Sequence, residues 1–252
     1  MYTYKFIKRK AFMVLAVTLL FTLSGFLPQH KKINIWMMGD STMSIKSKSK
    51  FPETGWGMPF SKLFKGHVKV YNLAKNGRST KSFINEGLWN TVYEGLSEGD
   101  YVFIQFGHND EKIDKPNTGT SIDEYKKNLS LFVEKARSKN ANPILLTPIA
   151  RRSFKDGKLV DTHGEYPEAV RHVADSLDVV LIDMTKETSK LLRKKGEKKS
   201  VDFFLHLPPG HENYPNGVTD NTHLNTHGAK VLADLVVKSL KKQKIPLVRD
   251  LK

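Results

Sequence analysis

Five short apolar runs, at 33–38, 68–73, 101–106, 144–147 and 179–182, are separated by longer stretches in which apolar residues recur every three or four positions. The short runs suit strands buried on both faces, and the intervening spacing suits amphipathic helices. The helical stretches fall at 122–138, 167–176, 184–195 and 226–242; in the last, Val231, Leu235 and Leu240 form a stripe among lysines. Strands and helices that alternate in this way pack as an α/β fold: a three-layer α/β/α sandwich around a five-stranded parallel sheet with right-handed crossovers. In such sandwiches the loops after the carboxyl ends of the strands carry function. Residues 198–221, rich in Pro, Gly and His, are expected to form one long surface loop leading to the final helix.

The amino terminus has a different composition. Lys5, Lys8, Arg9 and Lys10 precede an almost uninterrupted apolar stretch at 11–26 that ends near Ser24 and Gly25. This is the pattern of a secretory signal, expected to span 1–27 and to leave a single domain at 31–252, either periplasmic or secreted. The stretch is shorter than the roughly 20 apolar residues a bilayer core requires, so no lasting membrane association is expected. The chain contains no cysteine, which excludes disulfides, a thiol nucleophile and thiolate metal sites. Its formal net charge is +15, four charges of which lie in the leader. In an exported protein without a basic helix interleaved with aromatics, this excess suits an acidic polysaccharide partner better than nucleic acid.

Four polar motifs follow strand ends or precede a helix. Gly39-Asp40-Ser41-Thr42 puts a hydroxyl just after the first strand, where a helix amino terminus would stabilise developing negative charge. The loop Asn72 to Thr80 contains Gly77, whose main-chain N–H can approach a reacting carbonyl closely, with Arg78 beside it. Gly107-His108-Asn109-Asp110 follows the third strand, so that the Asn109 amide can join Ser41 and Gly77 as a third donor of an oxyanion hole. Asp220-Asn221-Thr222-His223 brings an acid and an imidazole together three residues apart, as a general base and its orienting carboxylate require.

Taken together, these blocks resemble the four that give SGNH/GDSL hydrolases their name. Asn76-Gly77-Arg78-Ser79-Thr80, Gly107-His108-Asn109-Asp110 and Asp161-Thr162-His163-Gly164-Glu165-Tyr166-Pro167 are most similar to the loops of rhamnogalacturonan acetylesterases, carbohydrate esterase family 12. The resemblance implies a flavodoxin-like sandwich and a metal-free, cofactor-free Ser–His–Asp mechanism. Ser41 would be nucleophile, His223 base, Asp220 orienting acid, and Ser41, Gly77 and Asn109 the oxyanion donors. Acetyl esters on a pectic, galacturonate-bearing polymer would be the substrate, and the enzyme is expected to act as a monomer.

His108, Arg78, Trp56, His163 and Tyr166 are candidate substrate contacts; Trp56 and Tyr166 equally suit the core, and His108 and His163 equally suit loop shaping. His227, one helical turn beyond His223, is a second candidate base. The group His206, His211, His223 and His227 lacks the His-Glu-x-x-His spacing of a catalytic zinc site. No Gly-x-Ser-x-Gly elbow occurs, which disfavours the α/β-hydrolase fold. Competing readings are an esterase for xylan, another glycan or a lipid, and a catalytically silent carbohydrate-binding protein on the same scaffold.

Overall fold

A computed structural model of the chain describes residues 32–252. The expected signal at 1–27 lies outside the described residues. Ile33–Lys252 pack as one unit, and among the described residues no helix is long and apolar enough to cross a membrane.

The strands β1 (Ile33–Gly39), β2 (Val68–Asn72), β3 (Tyr101–Gln105) and β4 (Asn142–Leu146) join a parallel sheet. A small ribbon, β5 (Phe154–Lys155) with β6 (Lys158–Leu159), intervenes before β7 (Val180–Ile182) completes the sheet in the order β2-β1-β3-β4-β7. This is the five-stranded parallel sheet and α/β class expected from the alternating pattern.

Both sheet faces are buried. Ile35, Met37, Phe103, Ile144 and Leu146 point into one core, and Trp36, Met38, Val102, Ile104 and Leu145 into the other. The period-2 alternation is invisible in the hydropathy of these runs because each face meets its own layer of helices. The first face packs against α1 (Gly57–Ser61), α6 (Met184–Ser200) and α7 (Thr226–Lys242). The second packs against α2 (Thr80–Asn85), α3 (Leu88–Gly95), α4 (Ile122–Ser138) and α5 (Tyr166–Ser176).

The α4 helix shows how local chemistry and packing agree. Ser121 caps it by accepting the Glu124 N–H, Asp123 and Glu124 occupy the first turn, and Lys135 and Arg137 the last, complementing the helix dipole. Its buried face, Tyr125, Leu129, Phe132, Val133 and Ala136, seats on the sheet. Truncating a buried ring such as Phe132 typically costs about 3–5 kcal/mol.

The segment at 198–221 is not one loop. Helix α6 bends at Gly196 and continues to Ser200, and a 3₁₀ turn (Val201–Phe203) leads into an antiparallel hairpin of β8 (Phe204–Leu207) and β9 (Val218–Leu224). The Pro and Gly residues that suggested a loop are confined to the tip at 208–217. The polar strand Val218–Leu224 escapes sequence detection because its side chains face a site and not the core.

The order β2-β1-β3 places the reversal of sheet winding between β1 and β3, where a crevice opens at the carboxyl ends of the strands. Ser41 follows β1 and His108-Asn109 follow β3, on the two sides of this point.

Candidate active site

Ser41 sits in a turn at the end of β1, with the Asp40 carbonyl accepting the Met43 and Ser44 N–H groups. The helix start expected at this position is absent: the turn runs into an irregular segment and a short 3₁₀ turn (Lys48–Lys50). Electrostatic assistance from a helix amino terminus therefore has no basis here. The local donors are single main-chain N–H groups.

His223 and Asp220 reach Ser41 from the hairpin. In a regular strand, residues three apart point to opposite faces. The β8–β9 register shifts between Phe204 and Leu205, so that Phe204 pairs with Leu224 whereas Leu205 pairs with Asp220. The resulting bulge leaves 221–223 outside the ladder and brings both side chains to one side. Asp220 Oδ1 fixes the bulge by accepting the N–H groups of Thr222 (2.7 Å) and His223 (2.9 Å).

The three side chains form a continuous line. His223 Nδ1 donates to Asp220 Oδ2 over 2.7 Å, and the Ser41 hydroxyl donates to His223 Nε2 over 2.9 Å. Burial pushes the Asp220 carboxyl upward, but the His223 ring and the His223 and Thr222 N–H groups outweigh it and hold its pKa at about 2. An ionised Asp220 only accepts, so Nδ1 must carry the ring proton, and in the neutral ring Nε2 is left as the acceptor facing Ser41.

The remaining motifs are tied to this line by hydrogen bonds. Ser44 Oγ donates to Asn76 Oδ1 over 2.6 Å, joining the Ser41 turn to the Gly77 loop. Asn109 Nδ2 donates to the Arg78 carbonyl over 3.1 Å, joining the third-strand loop to the same segment, and its second hydrogen remains available. His108 donates from Nδ1 to Asp40 over 3.2 Å, joining the third-strand loop back to the Ser41 turn. The main-chain N–H groups of Ser41 and Gly77 have no acceptor among the described residues. Gly77 has φ +77° with open space where a Cβ would stand, so glycine suits both the turn and an unobstructed N–H.

The proposed substrate contacts divide. Trp56 is fully buried and donates its indole N–H to Gln105 Oε1 over 2.7 Å; Gln105 donates to Thr42 Oγ1, which donates to Asp40. Trp56 therefore supports the floor of the site and contacts no substrate. His108 is also enclosed, at 2% exposure, with Nδ1 bonded to Asp40 and Nε2 without a hydrogen-bond partner among the described residues. His163 bridges the Glu111 carboxylate and the Ile149 carbonyl, 2.8 Å from each, while Arg151 pairs with Glu111. Tyr166 donates its hydroxyl to the Thr120 carbonyl over 2.6 Å, and with His163 it lines a cleft of about 600 Å³. Arg78 is partly exposed, paired with Glu86 and bonded to the Asn76 carbonyl.

The other histidines are engaged elsewhere. His227 stacks on Phe203, His206 Nε2 lies 2.9 Å from Asn221 Oδ1, and His211 Nδ1 accepts the Asn213 N–H. Among the described residues no group of three His, Cys, Asp or Glu side chains is arranged to hold a metal ion.

Two features of the site escape sequence reading. Lys46 and Glu53 form an ion pair of 2.7 Å beside the Ser41 turn, although both side chains belong to types normally exposed. Asp110 is fully buried and accepts from the Thr80 N–H, Thr80 Oγ1, the Gly107 N–H and Thr120 Oγ1. Burial, helped by the Asp40 charge, raises its pKa to about 7 against the Thr80 and Thr120 donors.

An α/β/α sandwich bearing a Ser–His–Asp line at its topological switch point has the form of a serine hydrolase. The chain belongs to the GDSL-like lipase/acylhydrolase family, whose model matches residues 37–231, and is an esterase. It is 39% identical over 219 residues to the rhamnogalacturonan acetylesterase RhgT of Bacillus subtilis, covering 86% of this chain and 93% of that protein. It is 32% identical over 219 residues to the probable rhamnogalacturonan acetylesterase YesY of the same organism, covering 86% and 97%. Among solved structures it resembles protein YxiM of Bacillus subtilis, with a TM-score of 0.73 and 25% identity; the match covers 85% of this chain and 58% of that one.

Proposed function

We propose that this protein is an exported carbohydrate esterase that removes acetyl groups from a pectic polysaccharide, rhamnogalacturonan, through an acetyl-enzyme on Ser41. The observation that carries the reading is the line from Ser41 Oγ to His223 Nε2 (2.9 Å) and from His223 Nδ1 to Asp220 Oδ2 (2.7 Å). The substrate class draws support from the similarity to RhgT and YesY and from the strand-end loops, which carry Asn, His, Arg and Lys in place of a run of large apolar residues.

In the first step Ser41 Oγ attacks the acetyl carbonyl carbon while His223 Nε2 takes its proton, and the carbonyl oxygen becomes an oxyanion facing the N–H groups of Ser41, Gly77 and Asn109. The C–O bond to the sugar breaks as the imidazolium returns the proton to the departing sugar hydroxyl. Water then attacks the acetyl-enzyme with His223 again as base, releasing acetate and restoring Ser41. Asp220 holds the ring in the required tautomer and stabilises its charged form. Arg78 is the side chain we assign to the polymer; Tyr166, buried and with its hydroxyl on the Thr120 carbonyl, belongs to the packed wall of the fold.

The test is a fluorophosphonate probe together with acetate release from acetylated rhamnogalacturonan, acetylated xylan and a short lipid ester. Labelling at Ser41, its loss in Ser41→Ala and preference for the pectic polymer are expected. Undiminished turnover by Ser41→Ala would refute the mechanism, and preference for xylan or lipid would refute the substrate.

A further inference from the structure

Lys46 is a buried cation that the chemistry above does not use. Its side chain is 2% exposed, yet it lies only five residues beyond Ser41. Placing an ammonium there removes its hydration, which is costly unless its hydrogens find specific acceptors. Lys46 Nζ donates to Glu53 Oε1 over 2.7 Å and to Asn76 Oδ1 over 2.7 Å. The first acceptor neutralises it; the second belongs to the Gly77 loop.

Asn76 is therefore held at two ends. Its side-chain oxygen accepts from both Lys46 Nζ and Ser44 Oγ, and its main-chain carbonyl accepts from Arg78 Nη1 over 2.9 Å. In a trans peptide the carbonyl and the next N–H point in opposite directions. With the Asn76 carbonyl turned toward Arg78, the Gly77 N–H is turned the other way, where it has no acceptor among the described residues. Asn76 itself is exposed, so its grip by a buried lysine does little for core packing.

We propose that Lys46, neutralised by Glu53, is a positioning residue that acts through the Asn76 side chain to hold the Gly77 N–H where the oxyanion forms. This rests on the reading of Ser41 as the acyl-accepting nucleophile. Preorganised donors outperform mobile ones because they need no reorganisation as charge develops. Loosening the Asn76 clamp therefore affects the transition state and not substrate binding.

The experiment measures kcat and KM for p-nitrophenyl acetate in the purified full chain, with Asn76→Ala, Asn76→Asp, the double variant Lys46→Met/Glu53→Gln and the triple combination with Asn76→Ala. The double variant removes both charges, so that no lone ion is left buried. Asn76→Ala and the double variant are each expected to lower kcat about 10- to 100-fold with KM nearly unchanged. The triple variant should be no slower than either, because both changes cut one linkage. Asn76→Asp retains the acceptor oxygen and should recover most of the rate.

Wild-type kcat in Asn76→Ala alongside a slow double variant would mean that the lysine charge acts directly, and would overturn the proposal. Multiplicative losses in the triple variant, or lowered thermal stability with unchanged kcat per folded molecule, would overturn it equally. Should the Lys46 double variant fail to fold, Asn76→Ala against Asn76→Asp still decides. Fluorophosphonate labelling of each variant at Ser41 separates failure of this linkage, in which the serine still reacts, from failure of the nucleophile assignment.

Discussion

His108 donates its Nδ1 hydrogen to the Asp40 carboxylate across 3.2 Å, tying the residue before Asn109 to the residue before Ser41. Burial acts against charge on both partners, yet the outcome differs. The His108 ring and the Thr42 donors outweigh burial and hold Asp40 at a pKa of about 2, whereas burial outweighs the pull of Asp40 on His108 and keeps the His108 pKa low. The pair is therefore a charged acceptor held by a neutral ring.

This arrangement makes stability depend on acid. Asp40 titrates below its unfolded value of 3.8, so its contribution is complete above that pH and is lost as pH falls toward about 2. Asp40→Ala leaves the buried donors of His108 and Thr42 without their acceptor and should lower unfolding free energy at pH 7 by about 1–3 kcal/mol. Urea titrations between pH 5 and 2 should show a shallower acid dependence in the variant; an unchanged slope would disprove the pairing.

Asp220 stays ionised far below the working range, with its pKa near 2. Protonating Asp220 would remove the charge that supports the ring during proton transfer, and because that carboxylate titrates only near pH 2 it adds no step to the acid limb above about pH 3. The acid limb of kcat/KM should therefore have unit slope down to about pH 3. A slope of two would show that the acid and the imidazole protonate together.

Asn109→Ala removes one of the proposed oxyanion donors and touches neither partner of the Ser41–His223 bond. A loss of about 10² to 10³ in kcat, with KM changed little, is expected from steady-state kinetics. A variant as fast as wild type would take Asn109 out of the mechanism.

Trp56→Phe leaves Gln105 Oε1 without its donor in the core. The cost should appear in chemical denaturation as about 1–3 kcal/mol of stability, with KM for the polymer unchanged. Arg78→Ala should spare the fold while raising KM for the polymer and, through loss of its bond to the Asn76 carbonyl, lowering kcat. An increased KM in Trp56→Phe would restore that residue as a substrate contact.

The contrast between Trp56 and Ser41 shows what sequence can convey. Strands and helices were legible because their periodicity is a direct image of which face is buried, as in Tyr125, Leu129 and Phe132 on α4. Ser41, His223 and Asp220 could be singled out because acyl transfer would need a hydroxyl, an imidazole and a carboxylate at such loop positions, and the structure brings the three into one hydrogen-bonded line. The polar strand β9 was not legible, since hydrophobic periodicity fails where one strand face lines a site. Nor was the enclosure of Trp56 and His108: burial depends on partners such as Gln105 and Asp40 that lie 49 and 68 positions away. Lys46 was hidden for the same reason, because its acceptors come from two separate loops.

Gly228, in the first turn of α7, has the Phe203 carbonyl oxygen only 1.9 Å from where a Cβ would stand. The last helix thus rests directly on the turn that launches the hairpin bearing His223, main chain against main chain. No side chain lies between them to act as a spacer that substitution could thicken or thin. A methyl group added at residue 228 would meet the Phe203 carbonyl, so the helix and the turn would have to part, and the strand that pairs with the His223 segment begins at that turn.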